Sequence, residues 1–178
     1  MVDVELQWLL LLVHVPAKPS RHRVAVWRGL RKSGAVPISP GTWILPAHPA
    51  FEAGIERIHQ LLKGNGSMTV VEARPRGTGG VDFRDAFAAA RTEEWAEFSK
   101  DCGKFMEEIA KETMLGKFTL AELEEEEQSL ERLRRWYRDL KARDVLALPE
   151  ARAAAQQLAG CSDVLETFAE QVYEATLT

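Results

Sequence analysis

The stretch QWLLLLVHVP, Gln7 to Pro16, is a strand-length apolar run that a proline stops. Its alternating sets, Trp8, Leu10, Leu12 and Leu9, Leu11, Val13, are both apolar, so something must pack on each side of this strand. Downstream, a helix is predicted from Arg21 to about Ser33, with Ser20 as N-cap, Val24, Trp27 and Leu30 on its apolar side, and Gly34 at its end. Val36–Ile38 and Trp43–Leu45 flank Ser39-Pro40-Gly41-Thr42, where Pro then Gly suits the centre of a type II turn, and so form a hairpin. A second helix starts near Pro49 and runs through Phe51, Ile55, Ile58 and Leu62 to Gly64; Met68–Ala73 supplies another strand. The order β-α-β-β-α-β over residues 1–76 is the ferredoxin-like pattern, which leaves one sheet face bare unless another element covers it.

Arg74 to Gly80, Arg-Pro-Arg-Gly-Thr-Gly-Gly, has the composition of a linker, and beyond it the apolar period lengthens to about 3.5. Trp95, Phe98, Cys102, Phe105 and Ile109 make one seam; Leu123, Leu130, Leu133, Tyr137 and Leu140 make another, after the capping box Thr119-Leu120-Ala121-Glu122. The short Gly116-Lys117-Phe118 connection predicts an antiparallel helical hairpin. A third helix is expected from Pro149 to Gly160, and a last one, capped by Ser162, through Leu165, Phe168, Val172 and Tyr173. The expected class is α+β: a ferredoxin-like domain over 1–76 and a helical domain over 77–178.

Composition narrows the function. With 46% hydrophobic residues in a chain of 178, disorder is excluded, and no apolar run approaches the roughly 20 residues that span a bilayer. Asp3 and Glu5 precede the longest apolar run and no small-residue cleavage site follows it, so no signal peptide is expected and a cytoplasmic location is. Cys102 and Cys161 are too few for a disulfide framework and lack metal-ligand spacing. Residues 1–80 hold ten Lys/Arg against five Asp/Glu, whereas residues 81–178 hold thirteen against twenty-two. That split gives the first half a preference for polyanions.

The candidate site is Ser20-Arg21-His22-Arg23, because basic side chains in a helix's first turn oppose the macrodipole by roughly 0.3–1 kcal/mol each and an anion removes the conflict. Arg28 and Arg31 extend the charge along the exposed side. The plainer reading is a solvated face. Arg74 and Arg76 flank a glycine-rich loop without phosphate-loop spacing and read as linker. His14, ending the first strand, reads as a core or edge histidine bonded to backbone, and His48 and His59, without partners at ligand spacing, as surface residues; Glu124 to Glu127 reads as solvated helix surface, Cys102 as an inert core thiol, and Cys161 as the more exposed of the two. Trp27, Trp43, Trp95 and Trp136 fall at periodic positions and read as core. Neither a nucleophile with its base nor a cofactor or metal fingerprint is legible, and Val15-Pro16-Ala17 stands where small ferredoxin-like nucleases carry an acidic ligand, so no enzyme is expected.

Several segments resemble the N-terminal domain of the chromate-resistance protein ChrB: Trp8 to Leu12 with Pro16, Ser20-Arg21, Val26-Trp27-Arg28-Gly29-Leu30, Gly34-Ala35 and Trp43-Ile44-Leu45-Pro46. The likeness continues through Thr119 to Glu124, Leu133-Arg134-Arg135-Trp136 and Arg143-Asp144. The resemblance implies a cytoplasmic bacterial regulator of chromate-resistance genes whose N-terminal region binds DNA, with Arg21, Arg23 and Arg28 at the DNA backbone or an oxyanion. The family's separate chromate-responsive C-terminal domain is not part of this sequence. Two alternatives stand beside it: a protein-interaction or homodimerisation module without nucleic acid, and a small protein that binds chromate or another oxyanion directly.

Overall fold

The computed structural model describes residues 6–76 and 82–177. Two compact units divide the chain, residues 1–90 and 91–178. In the first, β1 (Trp8–His14), α1 (Ser20–Ser33), β2 (Val36–Ser39), β3 (Thr42–Pro46), α2 (Glu52–Leu62) and β4 (Ser67–Ala73) follow the predicted succession. The strands lie in the order β2-β3-β1-β4, every pair antiparallel, with Leu11 opposite both Trp43 and Val70. Each helix thus connects two strands separated by one other. Gly41, at φ 72, turns the β2–β3 hairpin; a Cβ there would stand 2.8 Å from the Val13 carbonyl oxygen, so the position needs glycine for space as well as for φ.

α1 and α2 approach closely at two glycines. A Cβ on Gly29 would meet Leu61 Cδ1 at 2.8 Å, and one on Gly54 would meet Ser33 Cβ at 2.7 Å. Inward from this contact lie Val26, Leu30, Ile58 and Leu62, all buried. The second helix does not begin at Pro49: Pro49–Phe51 is a 3₁₀ turn, and the His48 side chain accepts a hydrogen bond from the Ala50 N–H at 3.1 Å.

The sheet face carrying Trp8, Leu10 and Leu12 is covered at its Trp8 end by the opening turns of a third helix, α3 (Phe83–Leu115). The rings of Phe83 and Phe87 each stand 5.9 Å from Trp8, edge-on, and Phe87 also meets Phe51 at 6.0 Å. The first unit therefore runs to Ala90, beyond the break read at residues 76 and 77, because the sheet recruits these two phenylalanines. At the other end Leu12 and Val71 remain exposed. Of the predicted linker, residues 77–80 lie outside the described residues.

The second unit contains the rest of α3 with α4 (Leu120–Arg143) and α5 (Pro149–Thr176). Trp95, Phe98, Cys102, Phe105 and Ile109 form the predicted α3 seam, and they bury against Leu130, Leu133 and Leu140 of α4 and Cys161, Phe168 and Val172 of α5. Thr119 caps α4 by accepting from the Glu122 N–H at 3.3 Å. Four expectations fail here. α5 is continuous through Gly160, whose missing side chain makes room for Met106, a Cβ there standing 3.0 Å from Met106 Cε. Ser162 consequently caps nothing and bonds the Leu158 carbonyl at 3.2 Å, while Cys161 is fully buried with its Sγ 3.7 Å from the Cys102 carbonyl oxygen. Tyr173 is exposed, since Phe168 and Val172 take the inward positions. At the other end of this unit Arg91 and Arg143 share Glu94, at 3.0 and 3.3 Å. Among the described residues no helix is long and apolar enough to cross a membrane.

Candidate functional site

α1 fixes the geometry of its basic residues through the phase of its buried stripe. Val26 and Leu30 face the core and Gly29 faces α2, so Arg21, Val24, Trp27, Arg28 and Arg31 share the opposite, exposed side. Val24 and Trp27 were expected on the apolar side with Leu30; instead they are 42% and 50% exposed. The inward path runs through Val26, Gly29, Leu30 and Ser33, about one residue out of phase with the expectation. Trp27 is therefore no core residue: the Arg31 guanidinium carbon lies 5.2 Å from its ring centroid, a cation–π pair on the surface. Trp43 and Trp95 are core, as read from their spacing.

Arg21 and Arg28 stand two turns apart, nearly in line and separated by about 10 Å along the axis. Arg21, Arg23, Arg28 and Arg31 make no ion pair among the described residues. Arg23 is exposed but lies roughly 140° round the helix from Arg28, so it flanks this row and does not continue it. His22 points the other way: its Nε2 is buried and finds no hydrogen-bond partner. Ser20 is exposed and is the first helical residue, not the cap; Pro19 holds the cap position, and no side chain bonds the first turn. No acidic residue occupies that turn, whereas Arg31 and Lys32 lie in the last turn, where the macrodipole favours them.

The remaining candidates do not join this group. His14 ends β1, His48 caps the 3₁₀ turn, and His59 is exposed on α2. Burial and the Cys161 contact raise the Cys102 thiol above its ordinary pKa, the Cys161 contact being the larger cause, so it is no ready nucleophile.

The family model described as Protein ChrB, N-terminal, matches residues 23–178, which include all of α1 beyond His22 and every later element. The chain belongs to the ChrB N-terminal family. A similar member is Protein ChrB of Cupriavidus metallidurans (strain ATCC 43123 / DSM 2839 / NBRC 102507 / CH34), 35% identical over 54 residues. That stretch is 30% of this chain and 17% of the relative's length. No solved structure matches.

What the sequence reading missed in this family member is the pairing of apolar with basic residues on one exposed face, Val24 and Trp27 beside Arg28 and Arg31. The signal lay in the i, i+4 spacing of Val26 and Leu30.

Proposed function

We propose that this chain is the DNA-contacting module of a regulator of chromate-resistance genes, non-enzymatic, and that the exposed face of α1 is its nucleic-acid interface. The observation carrying this reading is a row of exposed guanidinium groups without carboxylate partners beside Val24 and Trp27. Arg21 and Arg28 have the reach and geometry to bind phosphates bidentately, while Val24 offers the apolar contact that a thymine methyl group takes. At 14 residues the helix is about 21 Å long and fits a major groove about 12 Å wide. Membership of the ChrB N-terminal family favours the chromate-resistance context over a general polyanion binder.

The test is fluorescence anisotropy with the duplex upstream of a chromate-resistance operon against a scrambled duplex, at several salt concentrations. Binding should weaken with salt by about 0.9 in log–log slope per phosphate contacted, so Arg21→Ala with Arg28→Ala should flatten the slope by about 2. A flat salt response, or no preference between duplexes, overturns the reading. A second outcome, tight chromate binding lost in the same variant without any DNA binding, assigns the face to oxyanions instead.

A further inference from the structure

A groove of about 570 Å³ opens between α3 and α4 in the second unit, floored by Phe105, Leu133 and Trp136. The charges around it are unevenly met. Asp101 pairs with Lys104 at 2.6 Å and Glu108 with Lys111 at 2.6 Å, both on the helix surface, and Arg132, also on the lining, donates to the Ser129 hydroxyl at 3.3 Å. Glu112 and Glu126 line the groove too, yet they are only 4% and 6% exposed. This overturns the reading of Glu124 to Glu127 as entirely solvated surface, because the α4 phase that buries Leu130 and Leu133 also turns Glu126 inward.

A buried carboxylate that nothing neutralises is costly, and Glu126 has no ion-pair or hydrogen-bond partner among the described residues, while Glu112 crowds it. The Glu126 carboxyl is pushed up to about 7, first by burial and then by the charges of Glu112, Glu125, Glu108 and Glu122. Lys117, in the α3–α4 connection, meets only the edge of the cluster: its Nζ lies 3.2 Å from Glu122 Oε1 and 3.8 Å from Glu112 Oε1. Burial and then Glu122 push the Glu112 carboxyl up as well, Lys117 opposing them, and its Oε2 is buried without a hydrogen-bond partner.

We propose that this groove binds an organic cation, an alkylammonium or guanidinium group set against Glu112 and Glu126 with its apolar part on Phe105, Leu133 and Trp136. The chemistry of the lining excludes a hard metal ion as the better fit. Calcium takes six to eight oxygen ligands, and no three His, Cys, Asp or Glu side chains of the described residues are placed to hold a metal. An aromatic and aliphatic floor instead suits a cation with a carbon skeleton, to which an indole contributes a further attraction. Two sources supply such a group, a free polyamine or a basic side chain of another protein, and both present the same head.

Calorimetric titration of the full chain at low salt and pH 7.5 tests this, with spermidine as one probe and the blocked peptide Arg-Gly-Arg as the other. We expect a saturable site of one ligand per chain that Glu112→Gln with Glu126→Gln weakens at least tenfold while the helical circular dichroism is kept. If that double variant does not fold, Glu125→Lys on the exposed rim carries the same expectation. Arg21→Ala with Arg28→Ala leaves the site intact. Tighter spermidine assigns the site to free amines and tighter peptide to a protein side chain; either supports the proposal. Titration without saturation, affinity unchanged in the variants, or calcium binding as tightly at the same site overturns it.

Discussion

On α1, Arg21, Arg23 and Arg28 reach solvent without a carboxylate partner, whereas in the helical unit most basic side chains are met at short range, Lys104 by Asp101, Lys111 by Glu108, and Arg91 and Arg143 by Glu94. The exposed i, i+3 pairs are screened by solvent and contribute little, but the Arg91–Glu94–Arg143 group is largely buried and cannot lose a member cheaply. The contrast teaches where to look for ligands. Paired charge is committed to the fold, and charge left over, positive on α1 and negative at Glu126 between α3 and α4, is free to meet something else.

The contrast breaks first if its buried member proves dispensable. Glu94→Ala strands two arginines and should lower unfolding stability in urea by about 3–5 kcal/mol; a loss under 1 kcal/mol would place that group with the surface pairs. Glu126→Gln works in the opposite direction. A carboxyl raised from 4.5 to about 7 in the fold keeps its proton where the unfolded chain has lost it, so stability falls as pH rises from about 4.5 through 7. Removing the charge should therefore stabilise the protein by about 3 kcal/mol at pH 8, change little at pH 4, and flatten the pH dependence of the urea midpoint.

Packing in the first unit sharpens the comparison at a smaller scale. Gly54→Ala places a methyl group against Ser33 Cβ and Cα, neither of which can swing aside, and should cost about 1–2 kcal/mol despite alanine's better helix propensity. Gly29→Ala meets only the end of Leu61 and should cost less, a ranking that thermal melts of the two variants check. Smallest of all in stability is Arg21→Ala with Arg28→Ala, expected within about 0.5 kcal/mol of the parent, since neither side chain holds the fold. A large loss there would return those arginines to structure and remove the interface.

Much of the fold was legible. The doubly apolar Gln7–Val15 run, the Pro40-Gly41 turn and the 3-4 spacing of Trp95 to Ile109 each encode a local period, and local periods survive folding. Gly160 misled because a glycine that ends a helix and a glycine that admits a neighbouring methionine look alike in sequence; only Met106, fifty-four positions earlier, distinguishes them. Trp27 misled because its spacing from Val24 and Leu30 is helical either way, and which side of a helix is inward depends on where the sheet and α2 lie.

By itself the sequence determined the order of elements, the α+β division and the excess of positive charge ahead of residue 80, because periodicity, turn chemistry and charge count belong to neighbouring residues. Tertiary structure alone decided that Trp27 faces outward beside Arg31, that Glu126 faces inward beside Glu112, and that Phe83 and Phe87 join the sheet. Burial is settled by what packs from elsewhere in the chain, and no local pattern carries that information.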